Sequence, residues 1–415
     1  RLHKKRSRVR SLRFLNPNHY DTAIITSHTR RAEAAPGIAG RLPTRHSGAH
    51  QLGARKAQAR PAGSRVQSQL LPVFNLDYHH NVQAQRLSRL GTMAPGTSTP
   101  LGVLALTATF VAGTVGVTYW WLRNRFLKVA RVKSIVIYPI KSIVGLEIPY
   151  AYCTIEGLVY GSIKDRSMML AAGECLVSLR DEPTLALIRL SHEEGKLTLT
   201  ADTMDPLIVD ATDPDAHSKT SFTVKLWGND YRAVEVSPQA SAWFNRYLKR
   251  EDVRLVRILQ DDQNIARGKN GTIPVAFHDT STIHMLSVAS LKDFNSKLPE
   301  GNVEITERSF RPSFLIEGCD AYAEDHWIRA RLGDAEIAFV ERCSRCVLTT
   351  VDPNTGTKAM EPLKTLRTYR VDRSKFGRKK YKMQPLFGVC QYLVKDGNVN
   401  VGDDIYAVAS TRPLL

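Results

Sequence analysis

The sequence predicts an α+β fold dominated by short strands, in a chain of 415 residues that has room for two or three domains. Short β-branched or alternating runs bounded by turn residues recur along the C-terminal two thirds of the chain. No regular strand–helix–strand alternation and no Gly-x-Gly-x-x-Gly motif accompany them, which argues against a nucleotide-binding α/β fold. A hydrophobic content of 43% is enough for a sizeable core.

Seven strands and three helices follow from local patterns. The strands are predicted at residues 132–138, 197–201, 222–226, 314–317, 337–340, 347–351 and 404–408. Helical periodicity predicts helices at residues 237–250, 287–297 and 362–369. Ser237 is the expected N-cap of the first helix, with Pro238 in its first turn.

The first 92 residues differ in composition from the rest of the chain. They hold 17 Lys/Arg and 3 Asp/Glu, so +14 of the net charge of +18 lies there. The remainder is nearly balanced, so no nucleic-acid partner is expected. We interpret residues 1–92 as a basic, disordered leader, either a targeting extension or upstream sequence preceding an authentic start at Met93. N-terminal sequencing of the native protein would distinguish the two.

Residues 93–128 form a predicted signal anchor. The uncharged stretch 101–122 has 22 residues, enough to cross a hydrocarbon layer of about 30 Å at about 1.5 Å per residue. Aromatic residues 119–121 and a run of Lys and Arg follow it, as is typical of a membrane interface. We therefore expect a single transmembrane helix in contact with membrane lipid. With Met93 as the start, the charge bias places the C-terminal part in the cytosol.

Cys343-Ser344-Arg345-Cys346 is the most informative motif, because it sets thiols beside a cation. A thiolate so placed suits a soft or high-valent metal next to an anionic cofactor. The motif is also compatible with a redox-active cysteine pair, a zinc site or two buried structural cysteines. A predicted strand after Cys346 disfavours the redox pair, and the scattered remaining cysteines disfavour zinc. Six cysteines without a regular framework indicate a reducing compartment.

Several blocks across residues 129–412 carry a resemblance to a known family. They are Ile137-Tyr138-Pro139-Ile140-Lys141-Ser142, Asp165-Arg166, His278-Asp279-Thr280-Ser281, Ser309-Phe310-Arg311-Pro312, Gly318 to Asp325, Cys343 to Cys346 and Pro385-Leu386-Phe387-Gly388. In this order they resemble the MOSC-domain molybdenum enzymes, specifically the amidoxime reducing components of the outer mitochondrial membrane. The resemblance implies a β-rich MOSC N-terminal domain at 129–258 and a MOSC β-barrel domain at 259–412.

The resemblance also implies a molybdenum–molybdopterin cofactor. Cys346 matches the metal ligand, and Asp279 is the candidate for a catalytic proton donor. The positions that match cofactor-binding residues are Lys141, Ser142, Arg166, Thr280, Ser281, Arg311, Ser313, Ser344, Arg345 and Cys346. Cations and hydroxyls are the groups that an anionic pterin phosphate requires. At Ser313 the family usually has Asn, and near Cys390 it often has Tyr.

The implied activity is the reduction of N-hydroxylated compounds, namely amidoximes, hydroxylamines and hydroxamic acids. The implied electron donors are cytochrome b5 and NADH-cytochrome b5 reductase.

Residues 364–382, with nine basic residues and one Asp, are a candidate docking segment, although a solvated loop or a lipid contact fits the same charge run. Two other functions remain: a molybdenum-cofactor carrier or sulfuration domain, and a non-enzymatic membrane tether.

Overall fold

The computed structural model describes residues 109–110, 113–114, 124–212, 214–259, 265–268, 271–274 and 276–414. The predicted leader at 1–92 and most of the predicted span at 101–122 lie outside these residues. The four described positions of that span, 109, 110, 113 and 114, are helical. Within the part of the chain that the structure describes, no helix is long and apolar enough to cross a membrane.

Strands dominate the described residues, as predicted. They are β1 (Leu127–Ile137), β2 (Leu146–Ile148), β3 (Tyr150–Thr154), β4 (Gly157–Tyr160), β5 (Ile163–Lys164), β6 (Met168–Ala172), β7 (Cys175–Val177), β8 (Arg189–Glu193), β9 (Lys196–Thr200), β10 (Leu207–Asp210), β11 (Phe222–Leu226), β12 (Asn229–Glu235), β13 (Val253–Ile258), β14 (Ile265–Gly268), β15 (Gly271–Pro274), β16 (Ile283–Ser287), β17 (Phe314–Glu317), β18 (Trp327–Leu332), β19 (Ala335–Ser344), β20 (Leu386–Lys395), β21 (Gly397–Asn400) and β22 (Asp404–Ala409). The α-helices are α1 (Pro238–Leu248), α2 (Val288–Asn295), α3 (Leu363–Tyr369) and α4 (Lys375–Tyr381). Short 3₁₀ helices lie at Pro183–Leu187, Ala216–Ser218, Glu307–Ser309, Ala323–His326 and Val347–Thr350.

Seven strands close the larger of two barrels. β1 pairs with β22 on one side and with β17 on the other, and β16, β20, β19 and β18 complete the ring. β2 joins β1 as an eighth strand of the same sheet. The β16–β17 pairing is parallel, and the other pairings in this sheet are antiparallel. Closure pairs the strand edges and gives the loops at the barrel end a rigid base.

The smaller barrel consists of β6, β7, β11, β12 and β13. α1 packs on β13 and buries Trp243 and Phe244. Ser237 caps this helix as predicted, since its Oγ accepts a hydrogen bond from the backbone N–H of Ala240 at 3.1 Å. Three smaller sheets lie beside the barrels: β8–β9–β10, β14–β15 and β3–β4–β5 with β21.

Strand pairing crosses the predicted domain boundary at residue 258. β1, from the predicted N-terminal domain, pairs with β17 and β22 of the larger barrel. In return, β21 pairs with β3. The two predicted domains therefore share strands, and the loops of both barrels can meet at one place.

The predicted strand at 347–351 is wrong. Val347–Thr350 forms a 3₁₀ helix instead. The hydroxyl of Thr349 donates to the carbonyl oxygen of Cys346 at 2.9 Å, and that of Thr350 donates to the carbonyl of Val347 at 2.7 Å. These local bonds satisfy carbonyls that a strand would offer to a neighbour, so β-branched composition does not decide the conformation here.

The other predicted elements are confirmed, with shifts of a few residues at their ends. Residues 364–382 form α3 and α4. Two of their cations are in ion pairs: Arg370 with Asp325 at 2.6 Å and Lys380 with Glu341 at 3.0 Å. The segment is therefore an ordered part of the fold.

Candidate functional site

A cavity of about 350 Å³ lies where loops of the two barrels converge. The larger barrel contributes residues from the loop after β1, the segment before β16, the segment before β17 and the end of β19. The smaller barrel contributes the segment before β6, the segment after β7 and the turn between β11 and β12. The site is therefore built from positions far apart in the sequence.

Ten of the eleven predicted site residues line this cavity. They are Lys141, Ser142, Arg166, Asp279, Thr280, Ser281, Arg311, Ser344, Arg345 and Cys346. Ser313 is the exception, since it is buried in the barrel and its Oγ accepts a hydrogen bond from the backbone N–H of His284 at 3.4 Å. Its role in cofactor binding stays a prediction.

Lys141 is a buried cation aimed at the cavity mouth. Its Nζ donates to the Asp279 carboxylate at 2.6 Å and to the carbonyl of Phe277 at 3.0 Å. Desolvation lowers the pKa of Lys141, and the Asp279 charge opposes that shift. Desolvation works to raise the pKa of Asp279, but the ammonium of Lys141 and a hydrogen bond from Trp227 outweigh it and lower the pKa. Asp279 is therefore ionised at neutral pH.

Tyr138 holds two of the predicted arginines in place. The Arg166 guanidinium lies 4.8 Å from the centre of its ring, and that of Arg311 lies 4.2 Å from it. Arg166 also forms an ion pair with Asp165, a buried carboxylate that His278 Nε2 contacts at 3.0 Å. Asp165 and Arg166 are thus a buried support of the cavity wall and not a surface ion pair.

Three lining residues adopt the left-handed backbone conformation. The φ angles are 69° at Ser142, 49° at Arg166 and 56° at Arg311. Non-glycine residues rarely take this conformation, which costs about 1–2 kcal/mol. Backbone strain of this kind concentrates at functional sites, where the surrounding structure maintains it.

Arg345 is a rigid cation beneath the cavity. Its Nε donates to the carbonyl of Phe387 at 2.8 Å and its Nη1 to that of Phe310 at 3.1 Å. Its Nη2 contacts Nε2 of His284, whose pKa is lowered well below its usual value by burial and by this charge. His284 is therefore neutral at neutral pH. Because the N–H groups of Arg345 bond to backbone carbonyls, its guanidinium is held in place and supplies positive charge at a fixed position.

Cys346 presents its sulfur to the cavity. Nη2 of Arg180, a residue that follows β7, donates to Sγ of Cys346 at 3.2 Å. No disulfide links the cysteines among the described residues. The 3₁₀ helix after Cys346 and the antiparallel strands around it are not the βαβ setting of a thioredoxin-like pair.

Cys343 differs from Cys346 because it interacts with a second thiol. A hydrogen bond from Cys390 lowers the pKa of Cys343 to about 7, and the same bond raises the pKa of Cys390. Elsewhere, burial raises the pKa of Cys319 to about 12, in keeping with a structural role. Cys346 has no such thiol partner in the described structure, and its sulfur instead accepts a hydrogen bond from Arg180.

Sequence reasoning missed several lining residues, chiefly Arg180, Trp227, His284 and Gln384. Arg180 and Trp227 come from the smaller barrel and reach the cavity only through the tertiary fold. His284 lies within strand β16 and looks like a core position in the sequence. One local signal was available: an aromatic residue before Gly228, at the tip of a hairpin, is an unusual choice for a turn.

The donor set fits the cofactor that the resemblance implies. Five cations from the described part of the chain line the cavity: Lys141, Arg166, Arg180, Arg311 and Arg345. Among the described lining residues, the carboxylate is that of Asp279. This excess of cations suits the phosphate of molybdopterin, and one thiolate suits a metal whose other ligands come from a dithiolene. In the described residues no group of three or more His, Cys, Asp or Glu could hold a metal ion by itself. A metal held largely by an organic cofactor is consistent with this set.

Two family models match the chain. The MOSC N-terminal beta barrel domain matches residues 129–251. The MOSC domain matches residues 272–406.

Curated relatives match nearly along their full length. Mitochondrial amidoxime-reducing component 1 of Homo sapiens is 37% identical over 337 residues, which cover 77% of this chain and 96% of that protein. The same component of Mus musculus is 38% identical, over 74% of this chain and 92% of that protein. Mitochondrial amidoxime reducing component 2 of Macaca fascicularis is 34% identical, over 77% and 97%. This chain therefore belongs to the MOSC-domain family and groups with the mitochondrial amidoxime reducing components.

Proposed function

We propose that the protein is a molybdenum-cofactor-dependent reductase of N-hydroxylated compounds, with amidoximes, hydroxylamines and hydroxamic acids as substrates. The observation that carries this proposal is the sulfur of Cys346 in a cavity lined by five cations. The names of the relatives support amidoxime reduction. A membrane tether would need neither Cys346 nor this set of cations.

The lining residues divide into four roles. Cys346 would ligate the metal, which when bound supplies two-electron chemistry at the N–O bond. Lys141, Arg166 and Arg311 would bind the anionic groups of the cofactor. The hydroxyls that would meet the pterin edges are those of Ser142, Thr280, Ser281 and Ser344. Arg345 would contribute a fixed positive charge beneath them.

Asp279 suits a positioning role better than proton donation. Its carboxylate accepts hydrogen bonds from Lys141 at 2.6 Å and from Trp227 at 2.7 Å. Because these partners lower its pKa, it carries no proton to give at neutral pH. It would orient the Lys141 ammonium and the Trp227 indole at the cavity mouth.

Electrons would arrive from NADH through cytochrome b5 reductase and cytochrome b5. A basic surface supports this proposal: α4 and its flanks expose Arg373, Lys375, Arg378, Lys379 and Lys382. Phe376 and Met383, half exposed, lie among these cations, and Gln384 next to Met383 lines the cavity. A cationic surface with an apolar centre suits an acidic protein partner. Its position would bring the donor close to the cofactor.

The proposed location is the outer mitochondrial membrane, with the catalytic part in the cytosol. The mitochondrial names of the relatives support it. The apolar stretch 101–122 and the basic residues that follow it support an N-terminal anchor with that orientation.

The experiment is to express the full chain in a host that makes molybdopterin and to measure molybdenum, pterin and reductase activity. We expect about one molybdenum per chain, with metal and activity lost in Cys346→Ala. Cys343→Ala is the matched control, since it removes a neighbouring thiol from the same cavity and should retain the metal. Folded protein that contains neither metal nor pterin would contradict the proposal and favour the tether.

A further inference from the structure

Trp227 occupies a strained position at the tip of a hairpin. Leu226 of β11 pairs with Asn229 of β12, so Trp227 and Gly228 form a two-residue turn. The φ angles are 54° at Trp227 and 80° at Gly228. A turn with both φ angles positive strongly prefers Asn, Asp or Gly, and a bulky residue there is an outlier. The barrel itself does not require this side chain, because 54% of Trp227 is exposed.

Two contacts fix the indole over the cavity. Its Nε1 donates to the Asp279 carboxylate at 2.7 Å. The Arg180 guanidinium lies 4.7 Å from the centre of the ring. Arg180 and Asp279 both line the cavity, and Arg180 also contacts Sγ of Cys346 at 3.2 Å. Arg180 therefore links the indole to the predicted metal ligand, and about half of the surface of Trp227 remains exposed.

We propose that Trp227 is a substrate-binding platform that stacks on planar, aromatic N-hydroxylated compounds and thereby selects them over aliphatic ones. The proposal deepens the proposed function and rests on it. A preorganised ring pays little conformational entropy when a flat ligand stacks on it. Offset stacking of two aromatic rings strengthens binding by about three- to tenfold beyond the buried area.

The decisive variant is Trp227→Asn in the full-length, cofactor-loaded enzyme. Asn tolerates the left-handed conformation, so this variant should fold at least as well as the wild-type protein. Trp227→Phe keeps a ring without the indole N–H. Tyr152→Ala removes a partly exposed aromatic from β3, outside the residues that line the cavity, and serves as the matched control.

Benzamidoxime and acetamidoxime are the test substrates, with reduced methyl viologen as the electron source so that partner docking does not matter. We expect Trp227→Asn to raise KM for benzamidoxime about three- to tenfold and to leave KM for acetamidoxime within about twofold. Trp227→Phe should lie between the two proteins, and Tyr152→Ala should match the wild type. The inhibition constant of benzamide, a planar compound without an N–O bond, should rise in parallel with KM for benzamidoxime.

Three results would overturn the proposal. Equal changes in KM for both substrates would remove the aromatic selectivity. A fall in pterin or molybdenum content in Trp227→Asn would assign the indole to the cofactor and not to the substrate. No change in either KM would leave Trp227 without a role in binding. Wild-type protein that is loaded with cofactor but reduces neither substrate would instead contradict the proposed function.

Discussion

Nη2 of Arg180 lies 3.2 Å from Sγ of Cys346, although 166 positions separate the two residues in the chain. Arg180 follows β7 of the smaller barrel, whereas Cys346 follows β19 of the larger one. The Arg180 carbonyl in turn accepts a hydrogen bond from Nζ of Lys358 at 2.7 Å. The smaller barrel thus places a cation directly on the predicted metal ligand.

Arg180→Met should weaken the attraction of anionic reagents to Cys346. A unit charge about 4 Å away contributes about 1 kcal/mol even at the dielectric constant of water, or about fivefold in rate. In cofactor-free protein we expect alkylation of Cys346 by iodoacetate to slow about fivefold, with a smaller effect on iodoacetamide, which is neutral. Peptide mass spectrometry measures both rates at this residue.

The control for Arg180→Met is Arg250→Met, which breaks the ion pairs of Arg250 with Glu182 and Asp252 outside the cavity. It should leave both alkylation rates unchanged. An equal decrease for iodoacetate and iodoacetamide in Arg180→Met would show that the contact acts on the reactivity of the thiol itself and not on the attraction of an anionic reagent.

Local patterns in the sequence predicted six of the 22 strands and three of the four α-helices that the described residues form, but not how these elements assemble. β11 and β17 were predicted with their observed bounds, because alternation and turn residues are local signals. The 3₁₀ helix at Val347–Thr350 was missed because the hydroxyls of Thr349 and Thr350 bond to nearby carbonyls.

The candidate site followed from family motifs, most of which lie in the larger barrel and the segments around it. Lys141, Arg311 and Cys346 belong to such motifs, and all three line the cavity. Arg180 and Trp227 could not be predicted in the same way. Their place in the site depends on the position of the smaller barrel relative to the larger one, which no local pattern specifies.

Ser142→Gly should stabilise the cofactor-free protein while removing a hydroxyl from the cavity. The φ of Ser142 is 69°, and glycine adopts this conformation without the left-handed cost of about 1–2 kcal/mol. The greater chain entropy of glycine in the unfolded state offsets about 0.5–1 kcal/mol of that gain. We expect the free energy of unfolding to rise by up to about 1 kcal/mol, as measured by urea denaturation. Ser142→Ala, which keeps the strain, is the control and should show no such gain.

His284 should make stability depend on pH below about 6.5. Burial and the Arg345 charge lower its folded pKa, so the unfolded chain binds the proton more readily. The contribution of His284 is therefore complete above the unfolded pKa of about 6.5 and decreases as the pH falls, with a slope that approaches about 1.4 kcal/mol per pH unit well below that pKa. His278, whose pKa is also lowered by burial, adds a dependence of the same sign.

Urea denaturation at pH 7.5, 6.5 and 5.5 tests this dependence in wild-type protein and in His284→Gln. Gln keeps an acceptor for Arg345 but does not titrate. Between pH 6.5 and 5.5 the wild-type protein should lose about 1 kcal/mol more than the variant, because the unfolded histidine is only half protonated at pH 6.5. Parallel curves would show that His284 does not change its protonation between the two states, and the remaining slope would belong to groups such as His278.

Charge reversal on α4 should impair docking of an acidic electron donor without affecting the cofactor. Arg378 and Lys379 are exposed on this helix, near Gln384 at the cavity. Association steered by charge is fast at low salt and slows as salt screens it, whereas chemistry inside the cavity is not screened in this way. In Arg378→Glu/Lys379→Glu we expect the rate of reduction by cytochrome b5 to fall at least about tenfold at low ionic strength and to lose most of its salt dependence. Molybdenum content and activity with reduced methyl viologen should stay at the wild-type level.

Arg189→Glu, at an exposed position of β8, is the matched control and should keep the wild-type rate. If the double variant kept the wild-type rate with cytochrome b5, the donor would have to dock on another surface.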